Sequence, residues 1–158
     1  MSDGNGERAR LYLEDLAAGQ VYRTGSLTVD AAAIKAFAAQ FDPQPFHLDE
    51  AAGAASLFGG LAASGWHTAA LSMRLMVDSG FRVAGGLIGA GGELSWPRPT
   101  RPGDTLRVEI EILEVRPSRS RPQQGLAKVR NTTLNQHGEA VQVFAATMVV
   151  PRRPAGGG

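Results

Sequence analysis

Apolar residues recur along this chain with two different periods, and the change between them divides it near Gly80. Before that point the spacing is helical. Ala31 to Gln40 is alanine-rich, with Ile34, Phe37, Ala38 and Phe41 spaced by three, one and three, so one helix face is apolar. Asp30 stands where an N-cap belongs. From Gly65 to about Ser79, Trp66, Ala69, Ala70, Met73, Met76, Val77 and Gly80 repeat at helical spacing with few charges on any face, which predicts a mostly buried helix. Its Arg74 and Asp78, four apart, make one solvent-facing pair worth about a few tenths of a kcal/mol.

Beyond Gly80 the period becomes two. Leu106, Val108, Ile110 and Ile112 alternate with Arg107, Glu109 and Glu111, the pattern of a half-buried strand. Leu126 to Leu134 predicts another strand, and the turn Asn135-Gln136-His137-Gly138 leads into a third, Val141 to Val150. That last strand is apolar on both faces and is therefore expected to be central or covered. A glycine-rich approach precedes a short strand from Glu93 to Trp96, closed by Pro97, and Val21 to Thr28 predicts the first strand of the chain. The order is strand, helix, short helix, long buried helix, then three or four antiparallel strands. It predicts an α+β fold with the sheet wrapped around the long helix. One domain is expected over residues 10–150, between a loose N-terminus at 1–9 and a loose tail at 151–158.

Composition narrows what such a domain does. At 158 residues, 43% hydrophobic and 20% charged, the chain is large enough to bury a useful core. A net charge of +1 gives no basic field for nucleic acid, so a small-molecule substrate is expected. The absence of cysteine excludes disulfides, thiolate catalysis and Cys-ligated zinc. The most apolar stretch, about Leu57 to Val77, is interrupted by Ser64, His67 and Arg74, and the first residues lack an export core; no membrane association and a cytoplasmic location are expected.

The candidate chemistry lies between the first two helices. Asp42 and His47 are five positions apart on the connection Phe41-Asp42-Pro43-Gln44-Pro45-Phe46-His47. Pro43 disfavours helical geometry at Asp42, so its carboxylate should leave the helix surface at the helix end. Pro45 stiffens the return, and Asp49 is expected to cap a short helix, leaving His47 in the turn. His67, one turn into the apolar helix, is expected to be a hydrogen-bonded core or interface histidine, and His137 to be exposed in its hairpin. The glycines from Gly85 to Gly92 precede a strand and form no phosphate cradle.

Two stretches, Phe37 to Asp49 and Leu57 to Trp66, resemble the hydratase-2 motif of the MaoC-like hot-dog dehydratases, in which Gly-Asp-x-Asn-Pro-x-His-x-Asp is followed by a Phe-Gly segment and a His-Gly pair opening the central helix. Trp96-Pro97-Arg98-Pro99 and Pro102-Gly103-Asp104-Thr105-Leu106 resemble the family's sheet region. The sequence departs from the motif at Phe41 (for glycine), Gln44 (for asparagine) and Ser64 (for histidine). The resemblance implies a single hot-dog domain and hydration or dehydration of a 2-enoyl or (R)-3-hydroxyacyl thioester of coenzyme A. It implies no metal and no cofactor beyond the coenzyme A of the substrate, and a homodimer or dimer-based assembly. Asp42 and His47 would act on a water, and Gly65, at a helix N-terminus with free N–H groups, would stabilise the thioester oxygen. Ser64, Trp66 and Arg98 are the residues expected on the substrate side. Arg98 and Arg101 are both within a turn from which coenzyme A phosphates could be met, although arginines in a turn usually do nothing specific. Hot-dog folds also carry thioesterases, and a non-catalytic acyl-CoA-binding protein is the remaining alternative.

Overall fold

The alternation on the third strand dictates where the core lies. In the computed structural model, which describes residues 9–155, Leu106, Val108, Ile110 and Ile112 are fully buried on one face of β3 (Thr105–Pro117). Each contributes about 1.5–3 kcal/mol of burial. They pack with Ile34 of α1 (Ala31–Phe41) and with Leu75 and Met76 of α4 (Gly65–Val77). β4 (Gln124–Leu134) and β5 (Ala140–Pro151) continue from β3 as a meander. β1 (Val21–Thr28) adds to the free side of β3, and β2 (Ile88–Ser95) to the free side of β5. The sheet is antiparallel throughout, in the order β1-β3-β4-β5-β2. It is curled around α4, which contacts β3, β1 and β5. This is the expected α+β architecture and the hot-dog arrangement. β5 has a strand on either side, as its two apolar faces implied.

Two helical turns stand between α1 and α4: α2 (Pro45–Leu48) and α3 (Glu50–Ala54). Asp30 caps α1 through Ala33 N at 2.7 Å, and Asp49 caps α3 through Ala52 N at 2.8 Å. His47 is therefore in a one-turn helix and not in an open turn. Pro45 at the first position presets the helical φ, and its missing N–H costs nothing there. Gly53 lets α3 press directly on the return segment, because a Cβ there would sit 2.6 Å from Gly60 C and Leu61 N.

Three further expectations change. α4 is buried on one side only. Its inner side is tied by hydroxyls, Thr68 Oγ1 to Thr100 Oγ1 of the β2–β3 loop at 3.0 Å and Ser72 Oγ with Thr133 Oγ1 of β4 at 2.6 Å. Its outer side leaves Trp66, Ala70, Met73 and Val77 exposed, Trp66 by 61% and Val77 by 60%. Periodicity identifies an apolar face but not what covers it. The second correction is β2, which begins at Ile88 and takes in the glycines expected to be only an approach, because pairing with β5 supplies hydrogen bonds that glycine's weak strand preference does not forecast. Third, Arg152 and Arg153, in the stretch expected to be loose, are tied back. Arg152 Nε meets Glu14 Oε1 at 3.2 Å, and the Arg153 guanidinium meets Asp15 at 2.6 and 2.7 Å. Residues 1–8 and 156–158 lie outside the described residues.

Candidate active site

Asp42 ends α1. Its N–H completes the helix by donating to Ala38 O at 2.8 Å, and its backbone then leaves helical space at φ −154° and ψ 66°, as Pro43 requires. The carboxylate is thereby turned toward α2. There, His47 is 4% exposed, with Nε2 at 3.2 Å from Asp42 Oδ2. The other ring nitrogen, Nδ1, lies 2.7 Å from Ala62 O. A carbonyl only accepts, so Nδ1 carries a proton and Nε2 is the nitrogen free to exchange one. The imidazole is also clasped by rings: Phe46 edge-on at 4.6 Å and Phe58 at 6.0 Å between centroids.

The second half of the site arrives through an extended, buried run, Leu61-Ala62-Ala63. Ala62 N donates to Phe46 O at 3.2 Å, and Ala63 N to Thr100 O at 2.9 Å, which fixes this run between α2 and the loop that joins β2 to β3. Ser64 then caps α4, its Oγ accepting from Trp66 N at 3.3 Å. Gly65 is the first residue of the helix, so its N–H has no intrahelical acceptor. The indole of Trp96 lies flat against it. A Cβ at Gly65 would fall 2.6 Å from Trp96 Cε2, which is why only glycine fits. Trp96 is held in turn by its N–H to Gln142 Oε1 at 3.0 Å and by an edge-to-face contact with Trp66 at 5.5 Å.

Between these parts is a cavity of about 260 Å³. Phe46, Phe58, Trp96, Pro99 and Ala63 make its apolar walls, with His47, Gly65, Gln44 and Arg98 supplying the polar groups. A slightly larger hollow, about 310 Å³, near Phe81 and Arg82 brings together no acid–base pair. In the site, burial opposes ionisation of Asp42, but hydrogen bonding from Ser64 and Gln44 and the charge of His47 together outweigh it. The carboxyl is held below the usual carboxylate range.

His47 and Gly65 thus line one cavity, and Asp42, though not on its wall, meets His47 Nε2 at 3.2 Å behind it. The expected substrate-side residues fare differently. Arg98 is at the cavity wall, exposed and paired with Glu139 at 3.0 Å. Trp66 points outward, with no place on the cavity wall; it packs on Trp96. Ser64 is fully buried at the cap of α4 and does not line the cavity. Arg101 is not free for a phosphate: its guanidinium donates to the carbonyls of Leu61, at 3.3 Å, and of Phe58. His67 is buried as expected but not hydrogen-bonded at Nδ1, which finds no partner among the described residues. It stacks on Phe37 at 4.7 Å, and burial, only partly offset by Asp30, pushes its pKa down. Ser72 bonds to Thr68 and Thr133 on the sheet side, away from the site. Sequence reasoning missed the Ala62 carbonyl, which no side chain announces, and the aromatic walls, whose only signal is that Phe46 directly precedes His47 and Phe58 directly precedes Gly59 and Gly60.

Comparison with known proteins agrees with this geometry. The MaoC-like domain matches residues 15–135. A MaoC-like dehydratase from Rhodospirillum rubrum is 61% identical, superposes with a TM-score of 0.89, and is matched over 91% of this chain and 99% of its own. An (R)-hydratase from A. caviae is 29% identical with a TM-score of 0.70, over 87% of this chain and 99% of its own. An uncharacterized Bacillus subtilis protein, YdeM, is 36% identical over 141 residues, 87% of this chain and 96% of YdeM. The chain belongs to the MaoC-like family of hydratases and dehydratases.

Proposed function

We propose that this protein is a cofactor-free hydro-lyase that adds water across the 2,3 double bond of a trans-2-enoyl-CoA to form the (R)-3-hydroxyacyl-CoA, and catalyses the reverse. The observation that carries this reading is the approach of His47 Nε2 to Asp42 Oδ2 at 3.2 Å beside a cavity that Gly65 also lines. A water held by the pair loses a proton to one of them as its oxygen bonds to C3, and a proton is delivered to C2. Such acid–base help is worth about 10²–10⁴-fold. Negative charge gathers on the thioester oxygen during the addition. The free N–H of Gly65 and the positive end of α4 are suited to receive it, and one such donor is worth about 2.7–4 kcal/mol. Arg98, the cation on the cavity wall, is assigned to an anionic part of the thioester carrier.

The exposed apolar stripe of α4, Trp66, Ala70, Met73 and Val77, and the exposed Ile88 of edge strand β2 support a homodimer that covers apolar surface. Incubation with crotonyl-CoA tests the reaction: loss of the enoyl absorbance without free thiol is expected. Thiol release with no hydroxyacyl product would overturn the reading in favour of a thioesterase, and no turnover of any enoyl-CoA in favour of a binding protein.

A further inference from the structure

Two of the positions at which the sequence leaves the family motif converge on one carboxylate. Gln44 is the N-cap of α2, yet its side chain does not cap that helix. Its Nε2 donates to Asp42 Oδ1 at 2.5 Å, and its backbone N–H donates to Asp42 O at 2.7 Å. Ser64, the fully buried N-cap of α4, also helps to hold the Asp42 carboxyl below its usual range. A hydroxyl has one proton and two lone pairs. The Trp66 N–H that Ser64 accepts can only donate, so the serine proton remains free for a further acceptor. His47 Nε2 faces the remaining oxygen, Oδ2.

We propose that Gln44 and Ser64 are positioning residues that clamp Asp42 from two sides, fixing the orientation of the carboxylate against His47. The arrangement has a purpose beyond capping. Asp42 follows a proline-limited helix end, where its backbone is fixed but its side-chain torsions are not. Without outside donors the carboxyl is free to rotate away from His47 or to take up a proton. With them, each oxygen has an assigned partner, and the ionised form is favoured despite burial. His47 on α2 is the titratable group facing Asp42, while α4 presents only the uncharged Ser64.

The proposal rests on the hydratase reading for its effect on turnover, and the test separates the two. The side-chain carboxyl of Asp42 is titrated by ¹³C NMR in the wild type, Gln44→Leu, Gln44→Asn and Ser64→Ala, alongside kcat and KM for crotonyl-CoA across pH. Gln44 is exposed, so Gln44→Leu is expected to fold even where loss of the α4 cap in Ser64→Ala is not tolerated. A clamp requires the Asp42 midpoint to rise in Gln44→Leu and in Ser64→Ala, and the acid limb of the rate profile to move up with it. It also requires kcat to fall about tenfold with KM little changed, and Gln44→Asn, which keeps the donor, to return toward the wild type. A midpoint left at the wild-type value in the folded variants overturns the clamp, whatever their melting temperatures. A wild type that turns over no enoyl-CoA but whose Asp42 midpoint rises in the variants supports the clamp and removes the hydratase reading.

Discussion

Replacing Gly65 by alanine sets helix preference against packing. In an open helix the change stabilises by about 0.8–1 kcal/mol. Here the new Cβ would meet Trp96 Cε2, Cζ2 and Cδ2 at 2.6, 2.7 and 2.8 Å, where carbon atoms ordinarily rest about 3.5–4.0 Å apart. The indole has to retreat by about 1 Å to restore that spacing. It is not free to do so, because its N–H is bonded to the buried Gln142 and its face is braced by Trp66. If the ring stays, overpacking costs about 1–3 kcal/mol. If it leaves, Gln142 Oε1 loses its donor at about the same cost. After the propensity gain, a net loss of up to about 2 kcal/mol is expected, or up to about 8 °C in Tm for a chain of this size. Thermal unfolding followed by circular dichroism measures it. In a Trp96→Leu background the obstacle is gone, and Gly65→Ala should be neutral or stabilising. An alanine variant with a Tm above that of the wild type, Trp96 intact, would refute the packing argument.

Other perturbations reach different parts of the site. Asp42→Asn and His47→Gln should each lower kcat for crotonyl-CoA by about 10²–10⁴-fold while circular dichroism stays unchanged. Arg101→Met removes the donors that hold Phe58 O and Leu61 O, and should lower stability in urea by about 1.5–3 kcal/mol and speed proteolysis of the loop around Gly59. Burial holds the pKa of His67 below the ordinary histidine value of about 6.5. Below that value the unfolded chain binds more protons than the folded one, so stability is full above it and declines as pH falls. His67→Phe should therefore flatten the drop in Tm between about pH 7 and about pH 5; a slope equal to that of the wild type would count against a buried neutral imidazole. Met73→Glu, on the exposed side of α4, should shift sedimentation from dimer to monomer with helix content retained.

The parts of the fold that were legible in the sequence are those whose cause is local. The alternation of Leu106 to Ile112 forecasts β3 because one face of a strand is buried, and Asp30 and Asp49 forecast two helix starts because the cap is made within three residues. Asp42 was placed correctly by Pro43 alone. What failed depended on partners distant in the chain. Gly89 to Gly92 carry no strand signal, and it is β5 that makes them a strand. The exposure of Trp66 and Met73 follows from which surfaces the sheet and α1 leave uncovered. Ser64 was expected on the substrate side, whereas the fold buries it at the cap of α4, and Arg101 is committed to the Phe58 and Leu61 carbonyls. The location of the site could be read from Asp42, His47 and Gly65; the support around it could not, since Ala62 O, Gln142 and Trp96 announce no chemistry.

Trp66 and Trp96 are the only two tryptophans in the chain, and both sit at the N-terminus of α4, 5.5 Å apart. The intrinsic fluorescence of the whole protein therefore originates from one spot, where Trp96 lines the cavity and Trp66 faces outward. In a Trp66→Phe variant the emission comes from Trp96 alone, and entry of an acyl chain should register as a quench or a blue shift without any turnover. The complementary Trp96→Phe variant leaves a dye on the outer face of α4, where association of two copies, rather than arrival of a ligand, changes the signal. The molecule thus carries its own optical readout, with one channel for its cavity and another for its surface.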